Sequence, residues 1–261
     1  MLEVKSLYFR HKKADKDVLK NVSFSAEKGM LTTVLGANGS GKSTLFRCIC
    51  GVWKHYAGSV LINGENISNK SFKDRIKYFA VVPQHHEPPF PYSVLQVVVM
   101  GRIKHLGIFS SPTKKDFEIA EEILKDLGIY HLKDTPYTSI SGGERQLVLI
   151  ARALAQEAPV MLLDEPTSHL DFKNQILIMD KIKKLAQSKK TVVLVSLHDP
   201  NLALFFSDRV VLLKNGEVFA HGNIADTLNS ENLKKIYGIS VKLVSANGYK
   251  LVIPEIVIDQ E

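Results

Sequence analysis

Apolar and polar residues in the first third of the chain follow patterns that predict β-strands with one helix among them. The predicted strands are residues 2–9, 18–26, 31–35, 59–62 and 76–82. The first two alternate apolar with polar positions, which is typical of strands with one buried face. Residues 31–35 are an apolar run, and the helix-like segment 43–50 ends at Gly51, a residue suited to closing a helix.

The chain changes character between residue 85 and about residue 155. A proline-rich stretch comes first, and two helical patterns follow. Ser111-Pro112 predicts the start of one helix, with Ser as cap and Pro in the first position, and Gly128 ends its apolar stripe. The second helix is predicted from Ser141 to about Gln156. This block therefore reads as a helical subdomain inserted between strands of a core.

The last hundred residues return to buried strands that alternate with helices. Residues 160–163 and 191–196 are apolar in the manner of strands inside a parallel sheet, and 173–187 are helical. A hairpin is predicted at 210–220. Residues 223–261 predict a short helix, over 225–237, and a β-hairpin turning at Asn247-Gly248, both packed on the core. The whole pattern predicts an α/β fold.

A glycine-rich stretch, GANGSGKST at Gly36–Thr44, follows the predicted strand 31–35 and precedes a helix. Strand, glycine-rich turn and helix is the context of a phosphate-binding loop. Glycines let successive backbone N–H groups point at anionic oxygens, and the helix start adds its positive dipole end. Lys42 can reach the outer phosphates, and the Ser43 hydroxyl can bind Mg²⁺. The sequence therefore predicts an ATP or GTP site.

Composition narrows the classes of protein without choosing a function. The 261 residues suit one large α/β domain, or a core with a modest appended subdomain. The net charge of +7 permits contact with nucleic acid or an anionic membrane but proves neither, and lysine runs are read as solvated faces. Cys48 and Cys50 are expected on different helix faces, reduced and buried. No signal-peptide pattern and no membrane-spanning run is found.

Two carboxylates end the apolar run 160–163 and fit a nucleotide site. Asp164 at the end of the strand is placed to bind the Mg²⁺ shell, and Glu165 is placed to polarise a water for attack on the γ-phosphate. A surface carboxylate pair at the end of a strand is the alternative. The phosphate-binding loop upstream favours the first interpretation.

The stretch ISGGERQ, residues 140–146, has two interpretations. Ser141 and Glu144 have the spacing of a capping box, so the stretch can simply begin a buried helix. However, Gly142 and Gly143 form helices poorly, at positions where alanine would serve better. The two glycines are explained if another group approaches this helix start closely.

These motifs together resemble the ATP-binding-cassette (ABC) ATPases over about residues 2–222. The matching residues, in the family's order and rough spacing, are Gly36–Ser43, Gln84, Ser141–Glu144, Asp164-Glu165, Ser168–Asp171 and His198. ISGGERQ resembles the LSGGQ signature, with Ile140 and Glu144 as mild departures. The resemblance implies a P-loop NTPase (RecA-like) core with an antiparallel β subdomain and an inserted helical subdomain. The ABC ATPase domain would be residues 1–222.

The resemblance also implies roles for individual residues. Catalysis is expected from Glu165, His198 and Lys42, and Mg²⁺ binding from Ser43, Gln84 and Asp164. The expected ATP-binding residues are His11, Gly36, Asn38, Gly39, Ser40, Gly41, Lys42, Ser43, Thr44 and Gln84. Residues expected to act across a head-to-tail homodimer are Ser141, Gly142, Gly143 and Asp171. His11 takes the place of the aromatic ring that the family stacks on adenine, and Tyr8 is the alternative.

The resemblance favours the motor subunit of a transporter over two other classes. A non-hydrolysing relative is disfavoured because Glu165 and His198 are both present. A soluble ABC ATPase acting on nucleic acid or ribosomes usually has two cassettes or a long coiled coil. The stretch PFPYSVLQVVVMGR resembles importers of metal chelates such as iron-siderophore, haem, cobalamin or molybdate. The implied partners are two transmembrane permease subunits, indirectly a substrate-binding protein, and no nucleic acid, with the protein peripheral on the cytoplasmic face of the cell membrane.

Overall fold

A computed structural model describes residues 1–12, 14–84, 91–105 and 111–255 of the chain. Its strands are β1 (Leu2–Phe9), β2 (Leu19–Ala26), β3 (Leu31–Leu35), β4 (Ala57–Ile62), β5 (Glu65–Asn66), β6 (Phe79–Val82), β7 (Val160–Asp164), β8 (Val192–Leu197), β9 (Arg209–Lys214), β10 (Glu217–Asn223), β11 (Val241–Ala246) and β12 (Tyr249–Pro254). Its α-helices are α1 (Lys42–Ile49), α2 (Phe72–Arg75), α3 (Val94–Val99), α4 (Lys114–Asp126), α5 (Gly142–Ala155), α6 (Phe172–Lys189), α7 (Pro200–Phe206), α8 (Ile224–Thr227) and α9 (Ser230–Tyr237).

Several element boundaries differ from those that the sequence predicted, and three of the differences have a clear local reason. Strand β6 is shorter than residues 76–82 because residues 76–78 form a 3-10 turn after α2. Helix α4 starts after Thr113 instead of at Pro112, since the Thr113 hydroxyl donates to the Asp116 carboxylate at 2.7 Å. The single helix predicted over 225–237 is two helices, because Leu228 leaves helical geometry with ψ of 83° and Asn229 caps α9.

The central sheet has six strands in the order β10-β9-β3-β8-β7-β6. Strands β9, β3, β8, β7 and β6 are parallel to their neighbours, and β10 pairs with β9 in the antiparallel sense. A second sheet, β2-β1-β4-β5, is antiparallel. This architecture confirms the predicted α/β class with an antiparallel β part. The carboxyl ends of β3, β6, β7 and β8 lie at one edge of the large sheet, where open α/β sheets bind ligands.

The large sheet is packed on both faces, and its buried strands show the period of two that this requires. Leu31 and Leu35 of β3 join the core formed with α3, α4, α5 and α6. Val34, between them, joins the core formed with α1 and the antiparallel sheet. Helices α3, α4 and α5 follow β6 and precede β7 in the chain. The division of the chain near residues 85, 155 and 222 remains a prediction.

Cys48 and Cys50 lie at the end of α1 and are free and buried. Burial raises the pKa of the Cys48 thiol to about 12. A thiol with a raised pKa forms little of the reactive thiolate near neutral pH. The expectation that these cysteines do not pair is confirmed.

Candidate functional site

The glycine-rich stretch connects β3 to α1 along a path that only glycine allows at two points. A Cβ on Gly36 would lie 2.3 Å from the carbonyl oxygen of Leu213. Gly41 has φ of 106° and precedes the first residue of α1. Asn38, Gly39, Gly41 and the first residues of α1 line a cavity of about 180 Å³. The loop therefore presents its backbone and the start of α1 to one small polar pocket.

Other residues of the stretch lie either in this pocket or beneath it. Lys42, Ser43 and Thr44 line it, together with Val18, a residue that sequence reasoning missed. Ser40 was expected to bind ATP, but its side chain is only 5% exposed and the hydroxyl finds no hydrogen-bond partner among the described residues. Any contribution of Ser40 to the pocket therefore comes from its backbone.

Lys42 lies folded against the loop that precedes it. Its Nζ donates to the carbonyl oxygens of Gly36 at 2.8 Å and Ala37 at 3.3 Å. Burial lowers the pKa of Lys42, while the nearby charges of Glu165 and Asp164 raise it. These backbone contacts hold the ammonium group beside the pocket.

Asp164 and Glu165 stand at the carboxyl end of β7, joined through Ser196 on the neighbouring strand. The Ser196 hydroxyl donates to Asp164 Oδ1 at 2.7 Å and accepts from the backbone N–H of Glu165 at 2.9 Å. Glu165 has φ of 51°, a left-handed conformation that costs energy for a residue with a side chain. Ser196 therefore holds the Asp164 carboxylate and the backbone of Glu165 in place.

Sequence reasoning missed Ser196, although a signal was present. It is the one polar residue in the otherwise apolar strand VVLVSL, and it is fully buried. A buried hydroxyl has to find a partner. The parallel register of β7 and β8 places Ser196 opposite Asp164, and this pairing is a tertiary fact.

The Glu165 carboxylate is the point where the remaining predicted residues meet. Gln84, two residues past the end of β6, donates from Nε2 to Glu165 Oε2 at 2.7 Å. His198, just past β8, places Nε2 2.5 Å from Glu165 Oε1. Its Nδ1 lies 3.5 Å from Lys42 Nζ. Glu165 also lines the phosphate-loop pocket, so four separate strands contribute to one cluster.

The oxygen atoms expected to hold Mg²⁺ have the right chemistry for that ion. Ser43 offers a hydroxyl, Gln84 an amide carbonyl and Asp164 a carboxylate, and Mg²⁺ prefers such hard oxygen ligands. Among the described residues, no group of three or more His, Cys, Asp or Glu could hold a metal ion. Ser43, Gln84 and Asp164 offer fewer ligands than octahedral Mg²⁺ takes, so an ion at this place would share its coordination with phosphate oxygens of a nucleotide.

The start of α5 is a capped helix end that faces outward. Ser141 Oγ and backbone N–H both donate to the Glu144 carboxylate, at 2.6 and 2.8 Å. These bonds lower the pKa of Glu144. The Arg145 guanidinium does not join this cap and instead donates to the carbonyl oxygen of Thr138 at 2.6 Å. The capping box exists, and Ser141 and Gly142 remain exposed beside it.

The two glycines of this helix start differ in their surroundings. A Cβ on Gly143 would lie 2.8 Å from the side chain of Asn174, whereas one on Gly142 would meet only Leu170, at 3.8 Å. Asn174 in turn donates to both carboxylate oxygens of Asp171, the cap of α6. Gly143 is thus explained by packing within the chain, through Asn174, which sequence reasoning missed. Only Gly142 has free space that another molecule could use.

The candidates for contacting adenine belong to two different aromatic groups. The exposed His11 ring lies edge-on to Trp53, with centroids 4.8 Å apart. Trp53 stacks on Phe9 at 5.4 Å and has the Arg47 guanidinium over its ring at 4.6 Å. Tyr8 instead lies 6.0 Å from Tyr56. His11 is therefore backed by an aromatic support, and its role in binding the base remains a prediction.

Comparison with known protein families gives one match over most of the chain. Residues 19–168 match the family model described as ABC transporter. An iron chelatin transport ATP-binding protein of Helicobacter pylori is 38% identical over 246 residues, covering 94% of this chain and 95% of the relative. The molybdate import ATP-binding protein of Haemophilus influenzae is 36% identical, covering 90% of this chain and 87% of that protein.

Solved structures give the same result. An inward-facing conformation described as a metal-chelate type ABC transporter matches with a TM-score of 0.86 and 33% identity, covering 98% of this chain and 97% of that one. A dimeric ATP-binding cassette bound to ADP and Pi in a post-hydrolysis state matches with a TM-score of 0.73 and 30% identity, covering 86% of this chain and 99% of that one. In the described part of the chain, no helix has the length and apolar character needed to cross a membrane.

Proposed function

This chain belongs to the ABC transporter family of ATP-binding proteins, which hydrolyse ATP, and from this premise we propose that two copies drive a membrane importer of a metal chelate. The cluster around Glu165 carries the proposal for the chemistry. The phosphate loop, the Mg²⁺ candidates and two groups on the Glu165 carboxylate meet at one edge of the sheet. Such convergence suits phosphoryl transfer, in which positioning and electrostatics supply most of the catalysis.

We assign the roles within one chain as follows. The loop N–H groups and Lys42 bind the phosphates. The positive dipole end of α1, which starts at Lys42, adds to this attraction. Ser43, Gln84 and Asp164 would hold a Mg²⁺ ion, whose positive charge would offset that of the outer phosphates. Glu165 accepts a proton from the attacking water, and His198 contacts the γ-phosphate and orients it. His11 stacks on the base.

The proposed head-to-tail homodimer rests on the outward-facing start of α5. Ser141 and Gly142 are exposed, and the N-terminus of a 14-residue helix favours an anion there. Their partner would be the γ-phosphate bound at the phosphate loop of the second copy. Asp171, beside this surface through Asn174, would then contact the opposite loop. The dimeric cassette with ADP and Pi supports this arrangement by analogy.

A groove lined by exposed apolar side chains supports the proposed contact with a permease. Val52 and Phe72 are each 56% exposed, Ile103 is 61% exposed, and Ile76 and Val81 lie with them around a cavity of about 480 Å³. Exposed apolar surface of this kind usually marks an interaction site. Residues 86–110 are also expected to shape a groove for a helix of the membrane subunit, and of these, 86–90 and 106–110 lie outside the described residues. A helix of each transmembrane subunit would dock here, placing the protein at the cytoplasmic face of the membrane.

The chemistry of the transported substrate is proposed from relatives alone. Similar proteins are named for iron chelatin and molybdate. The permeases and a substrate-binding protein would contact and select the cargo, so the residues of the nucleotide site do not identify it. A metal chelate is therefore proposed as a class, without choosing one.

The central experiment replaces Glu165 with glutamine, which keeps the shape and removes the base. Turnover should fall by about 10²-fold or more, while ATP binding persists and the variant runs as a dimer in ATP. Glu118→Gln is the control, since Glu118 is an exposed carboxylate, 60% accessible, paired with Lys114 on α4. Wild-type turnover in Glu165→Gln would remove Glu165 from its role.

A second measurement separates transport from the alternative class. ATPase activity of the wild type is followed with reconstituted permease vesicles, with DNA and with RNA. Stimulation by the permease alone is expected, and Ile103→Glu should abolish it without changing basal turnover, because a charge in the groove opposes apolar docking. Stimulation by nucleic acid and not by the permease would overturn the transport proposal.

A further inference from the structure

We propose that the C-terminal segment, defined as α9 with the hairpin β11–β12, positions His198 in the nucleotide site, and that Tyr237 and Asn201 are the positioning residues. The inference rests on the catalytic role proposed above for His198. It assigns a task in the ATPase reaction to the C-terminal segment, through Tyr237 itself and through the strand that Asn201 contacts. Two separate contacts carry it, one to each end of the four-residue segment His198–Asn201.

The first contact fixes the backbone of the histidine itself. Tyr237, the last residue of α9, donates from its hydroxyl to the carbonyl oxygen of His198 at 3.2 Å. Helix α9 is held in place by Leu233 and Ile236, both buried in the core. Burial raises the pKa of Tyr237 to about 12, so the phenol keeps its proton and remains a donor at neutral pH.

The second contact joins the start of α7 to the hairpin. The Asn201 side chain accepts from the backbone N–H of Val252 at 2.7 Å and donates to the Val252 carbonyl at 3.3 Å. Val252 is buried in β12, so this strand has a defined position against the core. These two hydrogen bonds of the Asn201 amide resemble a pair in a β-ladder, and they link α7 to the hairpin.

The ring of His198, whose backbone these two contacts hold, makes its own contacts in the nucleotide site. Nε2 lies against Glu165 and Nδ1 lies 3.5 Å from Lys42. A loop whose backbone is held from behind keeps its side chain in fewer orientations. Loss of either anchor would therefore let the imidazole move relative to the Glu165 carboxylate.

The test is a double-mutant cycle on the full-length chain. Tyr237→Phe removes one oxygen atom and should lower kcat about fivefold while KM for ATP stays unchanged, since small misplacements of catalytic groups lower turnover. In the His198→Ala background the same change should have no further effect, because residues that act as a unit are not additive. Tyr249→Phe, at the exposed first residue of β12, is the matched control and should leave kcat unchanged.

A spectroscopic readout makes the test independent of residual turnover. In protein labelled on histidine rings, the His198 signal is assigned as the one lost in His198→Ala. Tyr237→Phe and Asn201→Ala should both shift this signal, and Tyr249→Phe should not. Thermal unfolding of each variant shows whether the fold itself has changed.

The outcomes separate this inference from the proposed function. If His198→Ala lowers turnover but Tyr237→Phe changes neither kcat nor the His198 signal, the positioning role is wrong and the proposed site stands. An equal loss of kcat from Tyr237→Phe in both backgrounds would show a general structural role and also overturn the inference. If His198→Ala keeps wild-type turnover, the catalytic role proposed for His198 itself fails.

Discussion

The phosphate loop and the start of α5 are the two regions proposed to bind phosphates, and they differ in how complete they are within one chain. At the first, Lys42, Gln84, Glu165 and His198 come from separate elements and contact one another directly. At the second, the polar groups are satisfied locally by the Ser141–Glu144 cap and the surface beyond is exposed.

This difference underlies the proposal that one region works within its own chain and the other works with a second copy. A cluster with mutual contacts is preorganised by folding, so its geometry exists before substrate arrives. The start of α5, with the exposed Gly142 beside its cap, offers a surface that the described residues of the same chain do not cover. The two regions are therefore read as the two halves of a site that only a second copy completes.

The largest expected effect comes from mixing two inactive variants. Lys42→Ala damages the phosphate-loop half and Gly142→Asp places a negative charge in the other half, so each alone should lose turnover by about 10²-fold or more. In an equal mixture, about a quarter of wild-type turnover should return, because half of the dimers are mixed and each contains one intact site. Lys42→Ala mixed with Lys42→Gln is the control and should stay inactive. No recovery in the first mixture would mean that the two halves act within one chain.

The next effect separates the two glycines of α5. Gly142→Ala should lower turnover on the order of tenfold, because the new methyl group enters the space expected for the partner's nucleotide. The thermal midpoint should not fall, since alanine favours a helix over glycine and the site within the chain has room. Gly143→Ala should instead reduce stability by displacing Asn174. Unchanged turnover in Gly142→Ala would contradict the assignment of this surface.

A loss of turnover comparable to that of Gly142→Ala, or smaller, is expected from a change in the cluster around Glu165. Ser196→Ala removes the donor to Asp164 and the acceptor for the Glu165 N–H. We expect turnover to fall about tenfold and stability to fall by about 1–3 kcal/mol, because a buried polar group loses its partner. Ser196→Thr keeps the hydroxyl and should recover most of the turnover. Equal losses in the alanine and threonine variants would indicate that packing, not the hydroxyl, matters here.

The smallest expected effect is on the binding of adenine. His11→Ala should weaken ATP binding about three- to fivefold, as expected for the loss of one ring contact. Trp53, the only tryptophan of the chain, lies beside His11 and supplies a fluorescence signal for the titration. Tyr8→Ala is the control and should bind as the wild type does. If only Tyr8→Ala weakened binding, the aromatic residue at the base would be Tyr8.

Much of the fold was predictable because local patterns record it. The strand before Gly36 and the apolar run ending at Asp164 are buried strands of the central sheet, as their composition indicates. The boundaries that were wrong depend on single side-chain contacts, such as the Thr113–Asp116 bond that delays α4. Several adjacent residues could make such a contact, and the hydrophobic pattern alone does not show which of them does.

The candidate site was predictable in its members but not in its connections. Local motifs identified Lys42 and Glu165, the resemblance to ABC ATPases identified Gln84 and His198, and the spacing of Ser141 and Glu144 identified the cap. Ser196 and Asn174 were missed because each acts through a residue distant in sequence. Neither the bond from Tyr237 to His198 nor the pairing of Asn201 with Val252 has a local signature.

By itself, then, the sequence determined the kind of chemistry: a glycine-rich loop before a helix, a carboxylate pair ending a strand, and a capped helix with surplus glycines. These are short-range features, in which neighbouring residues dictate backbone conformation and the type of ligand. Only the tertiary structure decided that Glu165 faces Gln84 and His198 at once, and that Gly143 serves Asn174 while Gly142 remains open. The parallel register of the sheet and the packing of α5 against α6 produce those contacts, and both depend on residues far apart in the chain.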